Sequence, residues 1–408
     1  MTRARNEHQA ARRRAVLVDQ LVTTGTVGSA AIEAALRAVP RHRFIPEVSL
    51  REAYDDEAVV IKRGADGLAM SSLSQPTMVA IMLDQLDVHP GHRVLEIGAG
   101  TGYNAALLAH IVGDSGQVTT IEFDPGVADR ARLTLAALDP RVHVVTGDGE
   151  VGFPDQGPFD RIIVTVGAWD IAPAWWDQLR ADGLLVAPLR LGGLQRSIGF
   201  RPVDSRHWRS TSIESCGFVP MQGAGAFEAR TLRLARDVAL HVDDQVAIAP
   251  GLSEALSFRP AVEWTGVHSG GRDVYGDLEL WLLTAVHALG RLGVNGADLV
   301  APVPIWGAVT VIAGESLAYL TRRPDRAGAE FGVAAYGPAA ADLALGVAAE
   351  VQAFATATRA GVRPLIDAHR IDPAGTPTGS EGTPMDSGGT LAKRHTRLDI
   401  EWMRAQPG

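Results

Sequence analysis

Three glycines and three acids carry the spacing in this chain that could do chemistry. The stretch VLEIGAGTGYNAALLA places Gly98, Gly100 and Gly102 just after an apolar run that ends at Glu96 and Ile97. Glycine permits a tight turn and a close approach of backbone to ligand at a helix start. The spacing is not the dinucleotide fingerprint G-x-G-x-x-G, whose third glycine would fall at position 103, where Tyr103 stands. The Lys-Ser/Thr pair of a phosphate-cradling P-loop is missing as well. Glu122 closes the next apolar run, 20 residues past Gly102. A carboxylate there can accept both hydroxyls of a ribose. Asp148, in TGDGE, closes the run after that. A lone acid of this kind also suits a loop cap. Three acids at successive strand ends, in step with a glycine turn, mark a ligand crevice.

The elements that must position these residues are legible as alternation. Apolar strands are expected at 93–97, 117–122, 141–146, 159–166 and 183–189, with helices at 103–112 and 125–138 between them. Apolar strands alternating with helices mean a parallel sheet covered on both faces. Upstream, 8–50 reads as helical, broken at Gly25 and Gly28, and 77–86 as an amphipathic helix. Downstream, 197–219 alternates like a hairpin. The stretch GDLELWLLTAVHALGRL and the run from Ala340 to Gly361 read as helices, VTVIAGESLAYLTRR as strands, and LAKRHTRLDIEW as a returning strand. The expected organisation is an N-terminal helical, substrate-side segment (1–90) packed on an α/β core (91–225), then a mixed α/β accessory domain (226–408). A Gly/Pro/Ser/Thr-rich linker or loop interrupts the last at 370–390.

Composition narrows the partners. The 408 residues carry a net charge of −9, so the field that attracts nucleic acid is missing and no nucleic-acid partner is expected. Arg12, Arg13 and Arg14 on the first helix could meet an acidic peptide or form a solvated face. No apolar run reaches membrane-span length, and no secretory pattern opens the chain, so neither a membrane nor export is expected. One cysteine, Cys216, excludes an internal disulfide and fits a reducing cytoplasm. None of the 12 histidines stands four residues from another, and no metal site is expected.

The turn E-x-G-x-G-x-G resembles motif I of Rossmann-like S-adenosylmethionine methyltransferases. The wider order of motifs resembles the protein-L-isoaspartate O-methyltransferase family. These are AVPRHRFIPE, AYDDEAV and SSLSQP, then the glycine turn, then GDGE ahead of FDRIIV. The resemblance covers roughly residues 30–225. It implies S-adenosyl-L-methionine as cofactor, held by Ser72, Leu73, Ser74, Glu96, Gly98, Gly100, Gly102, Tyr103, Glu122, Phe123, Asp148 and Gly149, with Asp148 on the adenine amino group. It also implies catalytic roles for Ser74 and Asp56. Read from the residues alone, Ser74 suits a helix N-cap and Asp56 a surface loop acid.

Two departures stand out. IIVTVGAWDIAPAW and ESCGFVPMQGAG differ from the repair enzymes, which also lack a region like 226–408. These features resemble the lanthipeptide-system (FxLD-type) branch. That branch implies methylation of an aspartate in a modified precursor peptide, leading through succinimide to isoaspartate. General repair of isoaspartyl proteins is the alternative, and a non-catalytic peptide-binding scaffold is a third. Methyl transfer to a carboxylate is an in-line displacement by an existing anion, so it needs positioning and desolvation rather than a strong base. Trp169, Trp175 and Trp176 fall where substrate would enter, as groove wall or core.

Overall fold

The computed structural model describes residues 2–404 apart from 66, 228, 244–245, 269–271, 287, 297–298, 305–306, 327 and 372–388. Two compact units divide the chain: Met1–Leu189 with Gln195–Phe227, and Arg190–Leu194 with Glu228–Gly408.

The first unit opens with helices α1 (Thr2–Thr23), α2 (Ala30–Ala38) and α3 (Leu50–Tyr54), the hairpin strands β1 (Val59–Arg63) and β2 (Ala69–Leu73), and helix α4 (Pro76–Leu86). Alternating strands and helices follow: β3 (Arg93–Ile97), α5 (Tyr103–Val112), β4 (Gln117–Glu122), α6 (Pro125–Leu138), β5 (Val142–Thr146), β6 (Phe159–Val164), α7 (Pro173–Gln178) and β7 (Leu179–Leu191). Strands β8 (Leu194–Pro202) and β9 (His207–Ser215) complete it as an antiparallel hairpin. The strand order is β9-β8-β7-β6-β3-β4-β5. Strands β3, β4, β5, β6 and β7 pair in parallel. The parallel sheet is the one expected from the alternation, and with its flanking helices it is the Rossmann-like α/β fold that the motif resemblance implied.

Burial explains why these runs are strands. Val94, Leu95 and Ile97 of β3 and Ile162, Ile163 and Val164 of β6 are all buried, on both faces. Continuous apolar runs of this kind belong to central parallel strands. Helix α6 starts cleanly because Asp124 accepts from the Val127 N–H at 3.0 Å and Pro125 presets the first turn. Leu21 of α1 and Leu36 of α2 share one hydrophobic core with Ala106 and Leu107 of α5. Helices α1, α2 and α4 therefore share a core with the sheet. The hairpin β1–β2 is a two-stranded antiparallel sheet of its own. It lies in a stretch to which the sequence assigned no element.

Strand order reverses at β3. The chain moves outward through β4 and β5, then returns to the other side with β6. Ligands of open α/β sheets bind at such a switch, beyond the carboxyl ends of the strands. Pairing is in register: Ile97 lies opposite Ile121 on one side and Val164 on the other. The next residues, Gly98, Glu122 and Thr165, therefore emerge abreast.

The second unit holds an antiparallel sheet in the order β10-β11-β13-β14-β15-β16-β12. Its strands are β10 (Ala229–Ala235), β11 (Val238–Asp243), β12 (Ala261–His268), β13 (Leu289–Val294), β14 (Ala308–Ala313), β15 (Ser316–Asp325) and β16 (Gly328–Tyr336). Helix α8 (Arg272–Ala285) ends earlier than the sequence suggested: Leu289 to Leu292, read as helix, pair with Val311 to Ala308 as strand. Helix α9 (Ala340–Arg359) is long and apolar enough by composition to cross a bilayer. Here it buries Val347, Val351 and Phe354. Strand β17 (Val362–Arg370), then β18 (Thr390–Ala392) and β19 (Thr396–Arg404), pair antiparallel in the order β18-β19-β17. The expected loop at 370–390 falls outside the described residues over 372–388.

Leu107, fully buried on α5, anchors the helix that the glycine turn opens. Leu107→Ala is expected to cost about 2–5 kcal/mol, measured as a shift in the urea midpoint of the first unit's tryptophan fluorescence.

Candidate active site

The glycine turn between β3 and α5 takes the conformation its residues permit. Gly98, Gly100 and Gly102 have φ of 99°, 52° and 86°, all left-handed. Their neighbours add a steric reason at two positions. A Cβ on Gly98 would stand 2.9 Å from Thr165 Oγ1 and from Val166 Cγ1, and one on Gly102 2.7 Å from Leu135 Cδ1. Gly102 thus serves helix-to-sheet packing. Gly98 and Gly100 also line a ligand-sized space.

That space comprises two adjoining cavities of about 510 and 470 Å3, counted out to their mouths, both walled by Ser72, Gly98, Gly100 and Thr165. The first is also lined by Glu122, Phe123 and Gly149, the second by Leu73, Ser74 and Tyr103. Nine of the residues expected at the cofactor thus line this space.

Glu122 accepts from the Gly100 N–H at 2.9 Å and from the Asp124 N–H at 3.1 Å. Burial pushes its pKa above the ordinary carboxylate value, and those N–H donors pull it back. A carboxylate has about four acceptor positions, so capacity remains for ribose hydroxyls.

Two expected cofactor ligands are engaged elsewhere. Glu96 is fully buried and lines neither cavity. Its carboxyl accepts from Asn104 Nδ2 at 2.8 Å and from the Thr120 hydroxyl, tying α5 and β4 to β3 beneath the turn. Burial pushes its pKa up to about 7, against those two hydrogen bonds. Asp148 also lies off the cavity lining. One oxygen accepts from the Glu150 N–H at 2.9 Å, the other from the Ala224 N–H at 2.8 Å. The loop-cap reading holds for Asp148, and its neighbour Gly149 faces the cavity instead.

The two expected catalytic residues separate. Ser74 lines the second cavity. It is not the N-cap of α4: Gln75 holds that place. Asp56 accepts from the Thr77 N–H at 2.8 Å, the Thr77 hydroxyl at 2.6 Å and Gln75 Nε2 at 3.2 Å. It caps the first turn of α4 from outside the helix, and it lines neither cavity. Asp56 therefore holds Ser74's neighbours in place rather than facing the ligand space. Arg41, fully buried, donates from Nη2 to the Ser74 carbonyl at 2.9 Å. Burial pushes its pKa down. Burial raises the Tyr103 phenol to about 12, so it stays neutral.

Several lining residues carried no motif. Val219, Pro220, Met221 and Gln222 wall the first cavity and Phe218 the second. They come from the ESCGFVPMQGAG stretch that departs from the repair enzymes, and that departure was the available signal. Gln222 Nε2 reaches the Met70 carbonyl on β2 at 3.5 Å. Two of the three tryptophans are core: Trp175 and Trp176 are buried, and Trp175 Nε1 donates to the Gly149 carbonyl at 2.9 Å, whereas Trp169 is half-buried and lines neither cavity.

The space suits a zwitterionic nucleoside. Gly100 leaves a passage, its missing Cβ 3.6 Å from the Ser72 carbonyl. The Thr101 hydroxyl on the second cavity is buried without a hydrogen-bond partner, an orphan that a ligand ammonium or carboxylate satisfies. A switch-point crevice with a glycine turn, a ribose-type acid and no phosphate loop defines a Rossmann-like methyltransferase that uses S-adenosylmethionine.

Comparison with known proteins narrows the class. Residues 12–225 match the family model of protein-L-isoaspartate(D-aspartate) O-methyltransferase. A Methanopyrus kandleri protein-L-isoaspartate O-methyltransferase is 39% identical over 219 residues, 53% of this chain and 94% of the relative. Protein-L-isoaspartate O-methyltransferase 2 of Archaeoglobus fulgidus is 41% identical over 195 residues, 48% of this chain and 86% of the relative. A Plasmodium falciparum protein of the same family description, solved in complex with S-adenosyl-L-homocysteine, aligns over 51% of this chain and 97% of its own, at 19% identity and a TM-score of 0.44. The chain belongs to the protein-L-isoaspartate O-methyltransferase family, whose members are S-adenosylmethionine-dependent carboxyl methyltransferases. The family match ends at residue 225, short of Glu228–Gly408, the bulk of the second unit.

Gly98→Ala, forced into left-handed backbone against Thr165, is expected to weaken S-adenosylmethionine binding by about tenfold or more, read by calorimetric titration. Glu96 holds its proton in the folded chain up to about pH 7, whereas an unfolded chain releases it near the ordinary value. Stability contributed by that proton is full at low pH and is lost as pH rises through about 4.5 to 7, on the order of 3 kcal/mol in all. Glu96→Gln keeps both hydrogen-bond partners without the ionisation. It is expected to flatten the fall in unfolding free energy measured between pH 5 and 8.

Proposed function

We propose that this chain methylates the free carboxylate of an isoaspartyl residue in a protein or peptide. The observation that carries the reading is Ser74, which lines a cavity contiguous with the glycine-turn crevice and whose hydroxyl caps no helix. Gly98, Gly100, Glu122, Phe123 and Gly149 would hold the cofactor, with the Thr101 hydroxyl on its amino-acid end. Bound there, S-adenosylmethionine supplies a methyl group on a sulfonium that leaves as a neutral thioether, so transfer to a carboxylate oxygen moves no proton. The acceptor is already an anion, and the protein's task is to strip its water and hold one oxygen in line. Ser74 donates a hydrogen bond to that carboxylate. Leu73, Val79, Met82 and Phe218 supply the apolar walls that exclude water. The resulting ester is attacked by the next backbone nitrogen, methanol leaves, and a succinimide forms without further help from the protein.

A second reading keeps the chemistry and narrows the acceptor to an aspartate of a modified, lanthipeptide-type precursor peptide. It is favoured by Glu228–Gly408 of the second unit, which lies outside the family match and which a repair enzyme open to many sequences does not need.

Two acceptors separate the readings: an unstructured isoaspartyl peptide and a macrocyclic peptide with an ordinary aspartate, followed by mass spectrometry for ester and succinimide. The first reading expects turnover of the isoaspartyl peptide and little of the macrocycle. Methylation of the macrocycle alone reverses it. Ser74→Ala is expected to lower kcat by about 10²-fold, the usual loss of one positioned hydrogen-bond donor, with S-adenosylmethionine affinity changed little.

A further inference from the structure

Arg41 is a fully buried guanidinium with no carboxylate in direct contact. All three of its acceptors are main-chain carbonyls. Nε donates to Ala53 at 3.0 Å, and Nη2 to Glu57 at 3.4 Å and to Ser74 at 2.9 Å. Glu57 lies just before β1 and Ser74 just after β2, so one side chain pins both roots of the hairpin. Beneath it lies the Tyr103 ring, with the guanidinium carbon 5.2 Å from the ring centre. Nη1 is buried and has no hydrogen-bond partner. Asp56 is the acid whose charge reaches Arg41, but its oxygens serve the first turn of α4.

A buried cation whose direct partners are all neutral carbonyls keeps much of its field uncompensated. Ser74 is the link between this cation and the second cavity: its carbonyl binds Nη2 and the residue lines the ligand space. Protein walls screen such a field far less than water does.

We infer that Arg41 gives the acceptor subsite its preference for an anion, drawing in the carboxylate and releasing the neutral product, while fixing Ser74 in place. This rests on the carboxyl-methyltransferase reading and adds a residue that acts on the acceptor without touching it. The charge change in the reaction then works as a release step. The acceptor enters as an anion and the ester departs without one, so affinity falls when the bond has formed.

The test is binding, not turnover. An isoaspartyl peptide and its twin, with a carboxamide in place of the acceptor carboxylate, are titrated into the full chain loaded with S-adenosylhomocysteine. The wild type is expected to bind the acid at least tenfold tighter than the amide. Arg41→Lys keeps the charge and is expected to retain most of that ratio even if both affinities drop. Arg41→Met is expected to bring the ratio near one. A ratio unchanged in Arg41→Met overturns the inference. So does a wild type that binds acid and amide equally, a result that stands even where Arg41→Met does not fold. Arg41→Lys and Arg41→Met weakened alike, both with wild-type ratios, would assign Arg41 a structural role alone. Failure of the parent reading looks different: the wild type then methylates no isoaspartyl peptide, whatever its variants bind.

Discussion

Parallel pairing in register across β3, β4 and β6 is the constraint on which the site depends. It brings the ends of three strands level, and everything that follows them inherits that level. Gly98 turns the chain away and opens the crevice. Glu122 faces it from one side and Thr165 from the other. A slip of one residue in either pairing would turn side chains from one face of the sheet to the other. The continuous apolar core of Val94, Leu95, Ile162 and Ile163 holds the register against such a slip.

Around that fixed floor, the walls come from distant parts of the chain. Met70, Ser71 and Ser72 descend from the β1–β2 hairpin, and Val219 to Gln222 come from the stretch after β9. The hairpin joins no larger sheet; Leu73, Val59 and Ile61 pack it on the core, and polar contacts fix its ends. Arg41 grips its roots, and Lys62 of β1 pairs with Asp124, the residue that caps α6. Lys62 is one of two lysines among 408 residues, and its partner stands two places from the ribose-type acid. The acids and bases near the site mostly shape the cavity; few of them face it.

The α/β core was legible because its strands are unbroken apolar runs and its turn needs glycine. The helices at 103–112 and 125–138 follow from periodicity and agree with the structure residue for residue. The hairpin was not legible: VVIKR and AMSSL are short, and their side chains are mostly half-buried, which blurs alternation. The stretch 276–292 carried a helical pattern throughout, but pairing with β14 draws its end into a sheet. At the site, the glycines and Glu122 could be named from spacing, and Ser74 from the family resemblance. The roles of Glu96, Asp148 and Asp56 could not. Each is an acid at a plausible position with at least one oxygen claimed by a group 8 to 76 residues away, and only the folded chain brings those together.

The ligand crevice has one wall made early in the chain and another made late. Residues 70–72 and 219–222 face each other across it, with the whole parallel sheet synthesised in between. A growing chain leaving the ribosome therefore possesses the glycine turn long before it possesses an enclosed pocket. The nucleoside cannot template the early stages of folding, and it can stabilise the molecule only after the sheet has assembled.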